Sequence, residues 1–405
     1  MGCSPPVNPS GLNPNIATRR GEGMTGEAYS STHPPLPPTT EDQRYSWLRL
    51  LRSRGIGTVT FYRLLAEYGS AQNVLEKLPE LAATSGVKGY KIYSKDALDA
   101  EFENAKAANA RLLCIGDPHY PAPLASLPNP PPALWAIGNL SLVTRPAIAL
   151  VGARNASSLG RRMAYGLARD LGDAGYVVVS GLARGIDACA HEGALASGTI
   201  AVQGGGVDII YPSENTPLAM TLAEQGLRLS EQPMGLQPQA RHFPPRNRII
   251  AGLALATVVV EAAIKSGSLI TARDALDLGR DVMAVPGHPC DGRASGGNLL
   301  IRDGATLVRH AEDVIEALPP LNAHRPPQRP SVQDLPSPPP ERRNLRQTAA
   351  LHQQILDRLA AAPTPEGQLI KDLGSPARKV RTVLTDLELS GEIGREPGGV
   401  IIKKR

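Results

Sequence analysis

Between residues 146 and 318 the chain repeats one pattern that few folds can satisfy: a short run of Val, Ile, Ala or Leu, a turn of small residues, then a helical stretch. The pattern predicts strands at 147–151, 176–179, 199–202, 227–230, 256–260 and 282–285, with helices including 159–174, 186–196 and 268–278. Strands that are apolar at every position, rather than at alternate ones, must be covered on both faces. Helices joining such strands supply that cover. The segment is therefore expected to be an extended Rossmann-like parallel sheet, an α/β fold.

The flanks read differently. A chain of 405 residues exceeds one ordinary core. Residues 1–40 are rich in Pro, Gly, Ser and Thr and are expected to be a disordered tail. From 41 to 110, Trp47, Leu48, Leu50, Leu51, Phe61, Leu64, Leu65, Val74, Leu75 and Leu78 recur at helical spacing, which predicts a small helical, SAM-like or helix-hairpin-helix-like domain. Its Arg54-Gly55-Ile56-Gly57 turn has two readings: a phosphate-approaching hairpin, or a tight turn between core helices. Residues 111–318 form the Rossmann-like domain, entered through an extended lead-in near 116–146. A Pro-rich linker spans 319–347 and a winged-helix domain 348–405, with helices at 351–361, 366–373 and 376–389 and a hairpin at 392–403.

Composition narrows the setting. The formal charge of +5 is compatible with an anionic partner without demanding one. Cys3, Cys114, Cys189 and Cys290 form no CxxC pair, so neither a disulfide framework nor a zinc finger is expected. No apolar run approaches the roughly 18 residues of a membrane span, and the N-terminal stretch lacks a signal-peptide core. The expectation is a cytoplasmic protein with no membrane contact.

In a parallel α/β sheet, ligands collect where strand ends lead into helix starts. After the first strand comes Gly152-Ala153-Arg154, and after the second Ser180-Gly181-Leu182-Ala183-Arg184-Gly185-Ile186-Asp187. Each turn combines small residues with an arginine, as an anion site would. For the glycines, close strand-to-helix packing is the competing reading. Neither turn fits the dinucleotide or P-loop pattern, so no nucleotide cofactor is expected. Gln203-Gly204-Gly205-Gly206 could bring backbone close to a ligand or merely shape a loop. The block Arg241 to Ile250 joins cations to Phe243-Pro244-Pro245 and ends in an apolar helix start. Arginines on phosphates with a base stacked on a ring is how single strands are gripped; the alternative is a core Phe243 with Arg246 and Arg248 as structural partners. Ser266, Gly267, Ser268 and Thr271 offer hydroxyls and free N–H groups at a further helix start. Glu261 beside them could position an arginine or do chemistry.

Taken in order, Gly152-Ala153-Arg154, the Ser180 to Asp187 turn with His191, Tyr211-Pro212, Phe243-Pro244-Pro245-Arg246-Asn247-Arg248, Ser266-Gly267-Ser268 with Thr271-Ala272, and Val285-Pro286-Gly287 resemble the signature series of the DNA-processing protein A (DprA/Smf) family. The resemblance covers roughly residues 115–310. It implies a protein that binds incoming single-stranded DNA in natural transformation, protects it, loads the RecA recombinase, dimerises through the Rossmann domain, and is not an enzyme. Carried over by motif, the DNA contacts would be Gly152, Arg154, Ser180, Gly181, Arg184, Phe243, Arg246, Asn247, Arg248, Ser266, Gly267, Ser268 and Thr271. Residue 184 is arginine where some members carry lysine.

Two rivals differ in class. A Rossmann-like nucleotide phosphoribohydrolase would carry a Pro-Gly-Gly-x-Gly-Thr turn, yet the Pro-Gly-Gly of this chain is Pro397-Gly398-Gly399, outside the domain. A duplex-DNA regulator would use the winged helix, where Arg378, Lys379 and Arg381 lie on the expected recognition helix; residues 341–405 hold 12 Lys and Arg against 8 Asp and Glu. Asp187 and His191, spaced i, i+4, are expected to share a structural hydrogen bond. His242, His288 and Cys290 have no metal-ligand spacing.

Overall fold

The first helix begins where the apolar periodicity does. In the computed structural model, α1 (Glu41–Arg52) starts at a capping box in which the Thr40 hydroxyl accepts from the Gln43 amide and the Gln43 side chain reaches back. The structure describes residues 37–84, 89–320, 351, 353–359, 363–373, 380, 383, 384, 387, 388, 392–396 and 400–403. It divides into two compact units, Met1–Arg325 and Pro326–Arg405. The expected tail over 1–40 falls almost wholly outside the described residues, as does most of the 319–347 linker.

Three further helices, α2 (Thr58–Tyr68), α3 (Ala71–Thr84) and α4 (Lys95–Ala107), complete the front of the first unit. Trp47, Leu50, Phe61, Leu64, Leu65, Val74, Leu75 and Leu78 form their core. A second cluster joins these helices to the sheet: Leu48 and Leu98 pack with Trp135 and Ile137. Polar groups reinforce the joint. The buried Glu101 carboxylate accepts from Arg52 Nε and Nη2, from the Trp135 indole at 2.8 Å and from the Met234 amide, while Arg52 Nη1 reaches the Glu231 carbonyl at 3.2 Å. The helical front is thus seated on the sheet rather than tethered to it.

The sheet has nine strands in the order β1-β2-β6-β5-β4-β3-β7-β8-β9. These are β1 (Arg111–Cys114), β2 (Ala133–Gly138), β3 (Ala147–Gly152), β4 (Val177–Ser180), β5 (Thr199–Val202), β6 (Leu227–Ser230), β7 (Ala256–Glu261), β8 (Asp281–Ala284) and β9 (Thr306–Leu307). From β6 to β9 neighbours run parallel, while β2 pairs antiparallel with β6, and β1 with β2. The stretch expected as an extended lead-in is therefore part of the sheet. Its apolar residues find their surface by pairing: Ala136 lies opposite Leu229, and Leu113 opposite Leu134.

Helices cover both faces. The described ones after α4 are α5 (Ala122–Ala125), α6 (Ser158–Asp173), α7 (Ile186–Ala194), α8 (Thr216–Gln225), α9 (Phe243–Leu253), α10 (Gly267–Asp277), α11 (Ser295–Arg302) and α12 (Ala311–Glu316). One core groups β-strand residues with Ile249, Ile250 and Leu253 of α9 and Leu269 of α10; the other groups them with Ala164, Leu167 and Leu171 of α6 and Ala190 of α7. From β3 the chain winds out through β4 and β5 on one side and later returns to β7 on the other. In parallel α/β sheets such a reversal leaves a crevice beyond the strands' carboxyl ends.

In the second unit, strands Thr364–Pro365, Val400–Lys403 and Ile393–Glu396 form a sheet in that spatial order, beside a helix at Glu366–Leu373. Leu351, Ile355, Leu359, Leu369, Val380, Val383, Leu384, Leu387, Ile393 and Ile401 make its core, so the four apolar residues read as one helix face do point inward together. Ser375, Pro376, Arg378, Lys379, Arg381 and the Pro397-Gly398-Gly399 turn lie outside the described residues.

Candidate nucleic-acid interface

At the end of β3 the chain turns through Gly152, Ala153 and Arg154 into α6. Some of the N–H groups expected to be free for a phosphate are taken. Glu261, at the end of neighbouring β7, receives the Ser157 amide on Oε2 at 2.8 Å and the Ala153 amide on its carbonyl at 2.6 Å. Ser157 itself caps α6 by accepting from the Gly160 amide. Glu261 also lies 3.8 Å from Arg293.

The second turn is filled in the same way. Asp187 Oδ2 accepts from the Gly181 amide at 3.1 Å and the Ala183 amide at 3.3 Å. Between them Leu182 holds a left-handed φ of 56°, a strained state for a leucine, and Asn215 fixes it by donating to its carbonyl. Ser180 is buried and donates to the Leu150 carbonyl at 2.6 Å. Asp187 and His191 make no bond to each other. Thr199 gives its one hydroxyl hydrogen to the Val178 carbonyl, so it must accept from His191 Nδ1, 2.7 Å away. His191 Nε2 is then a bare, buried acceptor without a partner.

Arg246 departs furthest from expectation. It was expected on a phosphate; it is only 4% exposed, and its Nη1 donates to the carbonyls of Gly181 and Val202. Glycine at 181 makes this possible, since a Cβ there would come within 2.6 Å of the guanidinium. Burial is the main influence on its proton affinity and brings it down to about 10, with Asp187 acting to raise it and Arg154 to lower it. The same burial pushes the Asp187 carboxyl upward, against the field of Arg246. Asn247 is also buried, its amide 3.4 Å from the Gly267 carbonyl, and Thr271 is buried within α10. Arg248 is bound to Glu231 at 2.6 Å and to the Asn129 carbonyl at 3.3 Å. Direct contacts from Arg246, Asn247, Ser180 and Thr271 are therefore corrected to structural roles, since their side chains are buried, while Arg248 is half-buried and paired with Glu231.

What remains exposed at the crevice is compact. Arg154 lays its guanidinium 5.0 Å above the Phe243 ring, and Arg246 lies 5.7 Å from the same ring. Phe243 opens α9, with Pro244 and Pro245 inside the first helical turn, where their missing N–H groups cost nothing. The helix thus starts at Phe243, ahead of the apolar run read as its beginning. Gly204 of the third turn lies against the ring, where a Cβ would sit 2.9 Å from Phe243 Cδ1. Tyr211 closes the group, its ring 5.9 Å from Phe243 and tilted by 37°, with the residue 49% exposed. In the sequence Tyr211 stands out only as part of the Tyr211-Pro212 motif. Arg184 is exposed and 3.6 Å from Glu214.

At the start of α10, Ser268 donates to the Gly152 carbonyl at 2.8 Å, tying this turn to the end of β3. No bond occupies the Gly267 and Ser268 amides among the described residues, and the buried Ser266 Oγ has no partner. This helix start therefore keeps two donors open to an anion. Among the described residues no group of His, Cys, Asp and Glu is placed to hold a metal ion.

Fold and surface together define a class: a Rossmann-like sheet preceded in sequence by a helical front and followed by a winged-helix unit, with cations and aromatics gathered at the strand ends of the sheet. The family model described as DNA recombination-mediator protein A matches residues 111–319, that of the DprA-like N-terminal HHH domain matches 41–104, and that of the DprA winged helix domain matches 338–399. The chain is 44% identical to the DNA processing protein DprA of Bacillus subtilis over 211 residues, covering 51% of this chain and 71% of the relative. It is 37% identical to Protein Smf of Escherichia coli over 307 residues, covering 73% and 78%. The solved DprA from Streptococcus pneumoniae superposes with a TM-score of 0.59 at 36% identity, covering 69% of this chain and 98% of that one. The chain belongs to the DprA/Smf family.

Proposed function

We propose that this protein binds single-stranded DNA at the crevice beyond β3, β4 and β7 and catalyses no reaction there. One observation carries the reading: Arg154 is held out over Phe243 with the exposed Tyr211 ring alongside, a cation and a base-stacking surface at the reversal point of a parallel sheet. Phosphates meet Arg154, Arg184 and the open Gly267 and Ser268 amides. Bases stack on Tyr211 and on the planar Arg154 guanidinium, while Phe243 is the platform that orients Arg154. Glu261 and Asp187 each occupy two amides of the first two turns, which supports a strand laid across the crevice over a diphosphate sunk into it.

Membership of a family described as recombination mediators supports a role in DNA processing during transformation and recombination. The finer role we propose is protection of incoming DNA and loading of the RecA recombinase by a homodimer formed through the Rossmann-like domain. The proposed domains are 41–110, 111–318 and 348–405. No described helix is long and apolar enough to cross a membrane.

The test is fluorescence-anisotropy titration with single-stranded and duplex oligonucleotides, on wild type and on Arg154→Ala and Tyr211→Ala. Preference for single strands, weakened by both substitutions, is expected; equal affinity for duplex, or variants matching wild type, would overturn the assignment.

A further inference from the structure

Helix α6 leaves the crevice directly after Arg154, and its inner face is fixed by burial of Ala164, Leu167, Ala168 and Leu171. Its outer face is thereby fixed as well. Over the first two turns that face carries Leu159, 69% exposed, Arg161 and Arg162, both exposed, and Tyr165, 45% exposed. Neither arginine has a hydrogen bond or ion pair among the described residues, whereas one turn further on Arg169 is held by Asp170 at 2.8 Å. The unpaired positive charge is thus confined to the turns that adjoin the crevice. At 100° per residue, Leu159, Arg162 and Tyr165 fall on neighbouring rows, so an aliphatic contact, a cation and a ring follow each other for about 10 Å along the helix.

We propose that this face of α6 is a second binding surface, which receives the nucleotides that run on from the Arg154 and Tyr211 site. The proposal rests on the single-strand reading above. Charge complementarity selects a polyanion, and continuity with the crevice selects the strand already bound there. Phosphates fall to Arg161 and Arg162, and one base stacks on Tyr165. Glu192 on adjoining α7 is exposed and borders the surface, which limits it to the α6 side.

The experiment compares oligo(dT) of about 6 and about 20 nucleotides on wild type, Arg161→Ala/Arg162→Ala, Arg161→Lys/Arg162→Lys and Tyr165→Ala. For the long strand the double alanine variant and Tyr165→Ala are each expected to lose roughly tenfold in affinity, and the double alanine variant to flatten the salt slope by about 1.4. The short strand should bind all four proteins alike, and the double lysine variant should keep the wild-type salt slope. No loss on the long strand, or equal losses at both lengths, overturns the second surface. Failure of the single-strand reading shows separately, as wild type and Arg154→Ala binding the short strand equally.

Discussion

Replacing Arg246 with Met separates a structural cation from a DNA-contacting one. The guanidinium is buried, donates to the Gly181 and Val202 carbonyls, and provides the opposite charge in the neighbourhood of buried Asp187. Methionine fills much of the volume yet leaves two carbonyls and a carboxylate without it. Removing one member of a buried charged arrangement costs about 3–5 kcal/mol. Asp187 can limit the loss by taking up a proton, so the lower half of that range, about 3 kcal/mol, is expected at neutral pH. For a unit of this size that lowers Tm by roughly 5 °C. Arg154→Ala, on the surface, should cost no more than about 1 kcal/mol. Urea denaturation of both variants measures the contrast. Asp187→Asn in the Arg246→Met background should recover part of the loss, a coupling of about 1 kcal/mol or more. Arg246→Met with wild-type stability and a selective loss of DNA affinity would refute the burial argument and restore the cation to the DNA surface.

Two further outcomes follow from the buried polar groups. Burial, helped by Arg246, lowers His191 to about 3, while the unfolded chain titrates near the ordinary value of 6.5. Between those values the unfolded state binds the extra proton, so this contribution is full above pH 6.5 and declines as pH falls toward 3, by at most about 1.4 kcal/mol per pH unit. The stability difference between wild type and His191→Gln, measured from pH 7.5 to 4.5, should shrink toward acid; a constant difference would contradict the neutral, Nδ1-protonated ring. Glu101→Ala strands Arg52, the Trp135 indole and the Met234 amide at the joint between front helices and sheet. A loss of about 3–5 kcal/mol is expected, with faster amide exchange in both α1 and β2; exchange confined to α1 would mean that the two parts are not coupled through this carboxylate.

The parallel strands β3 to β8 were legible because burial on both faces leaves no alternative to continuous Val, Ile and Ala runs, whereas β9 is two exposed residues and was not. β1 and β2 were not, since Arg111–Cys114 and Ala133–Gly138 are separated by a proline-rich stretch and declared only by their antiparallel partners. At the crevice the sequence located Arg154, Phe243 and the α10 start but turned too many side chains outward. The missing signal was periodicity. Arg246, Ile249, Ile250 and Leu253 stand at i, i+3, i+4 and i+7, which places the arginine on the inward face of α9 once the helix is known to begin at Phe243. Glu261 and Asp187 were harder to read, because a carboxylate that caps a turn from another element leaves no local pattern. Tyr211 lacked any spacing that would set it beside Phe243.

The most direct measurement is the salt dependence of single-strand affinity for wild type, Arg154→Ala and Arg248→Ala. Arg154 reaches into the crevice and Arg248 is held by Glu231. The account predicts that Arg154→Ala weakens binding and lowers the slope of log K against log salt by about 0.7, one phosphate contact on a single strand, while Arg248→Ala leaves the slope unchanged. A slope that falls for Arg248→Ala and not for Arg154→Ala would contradict it.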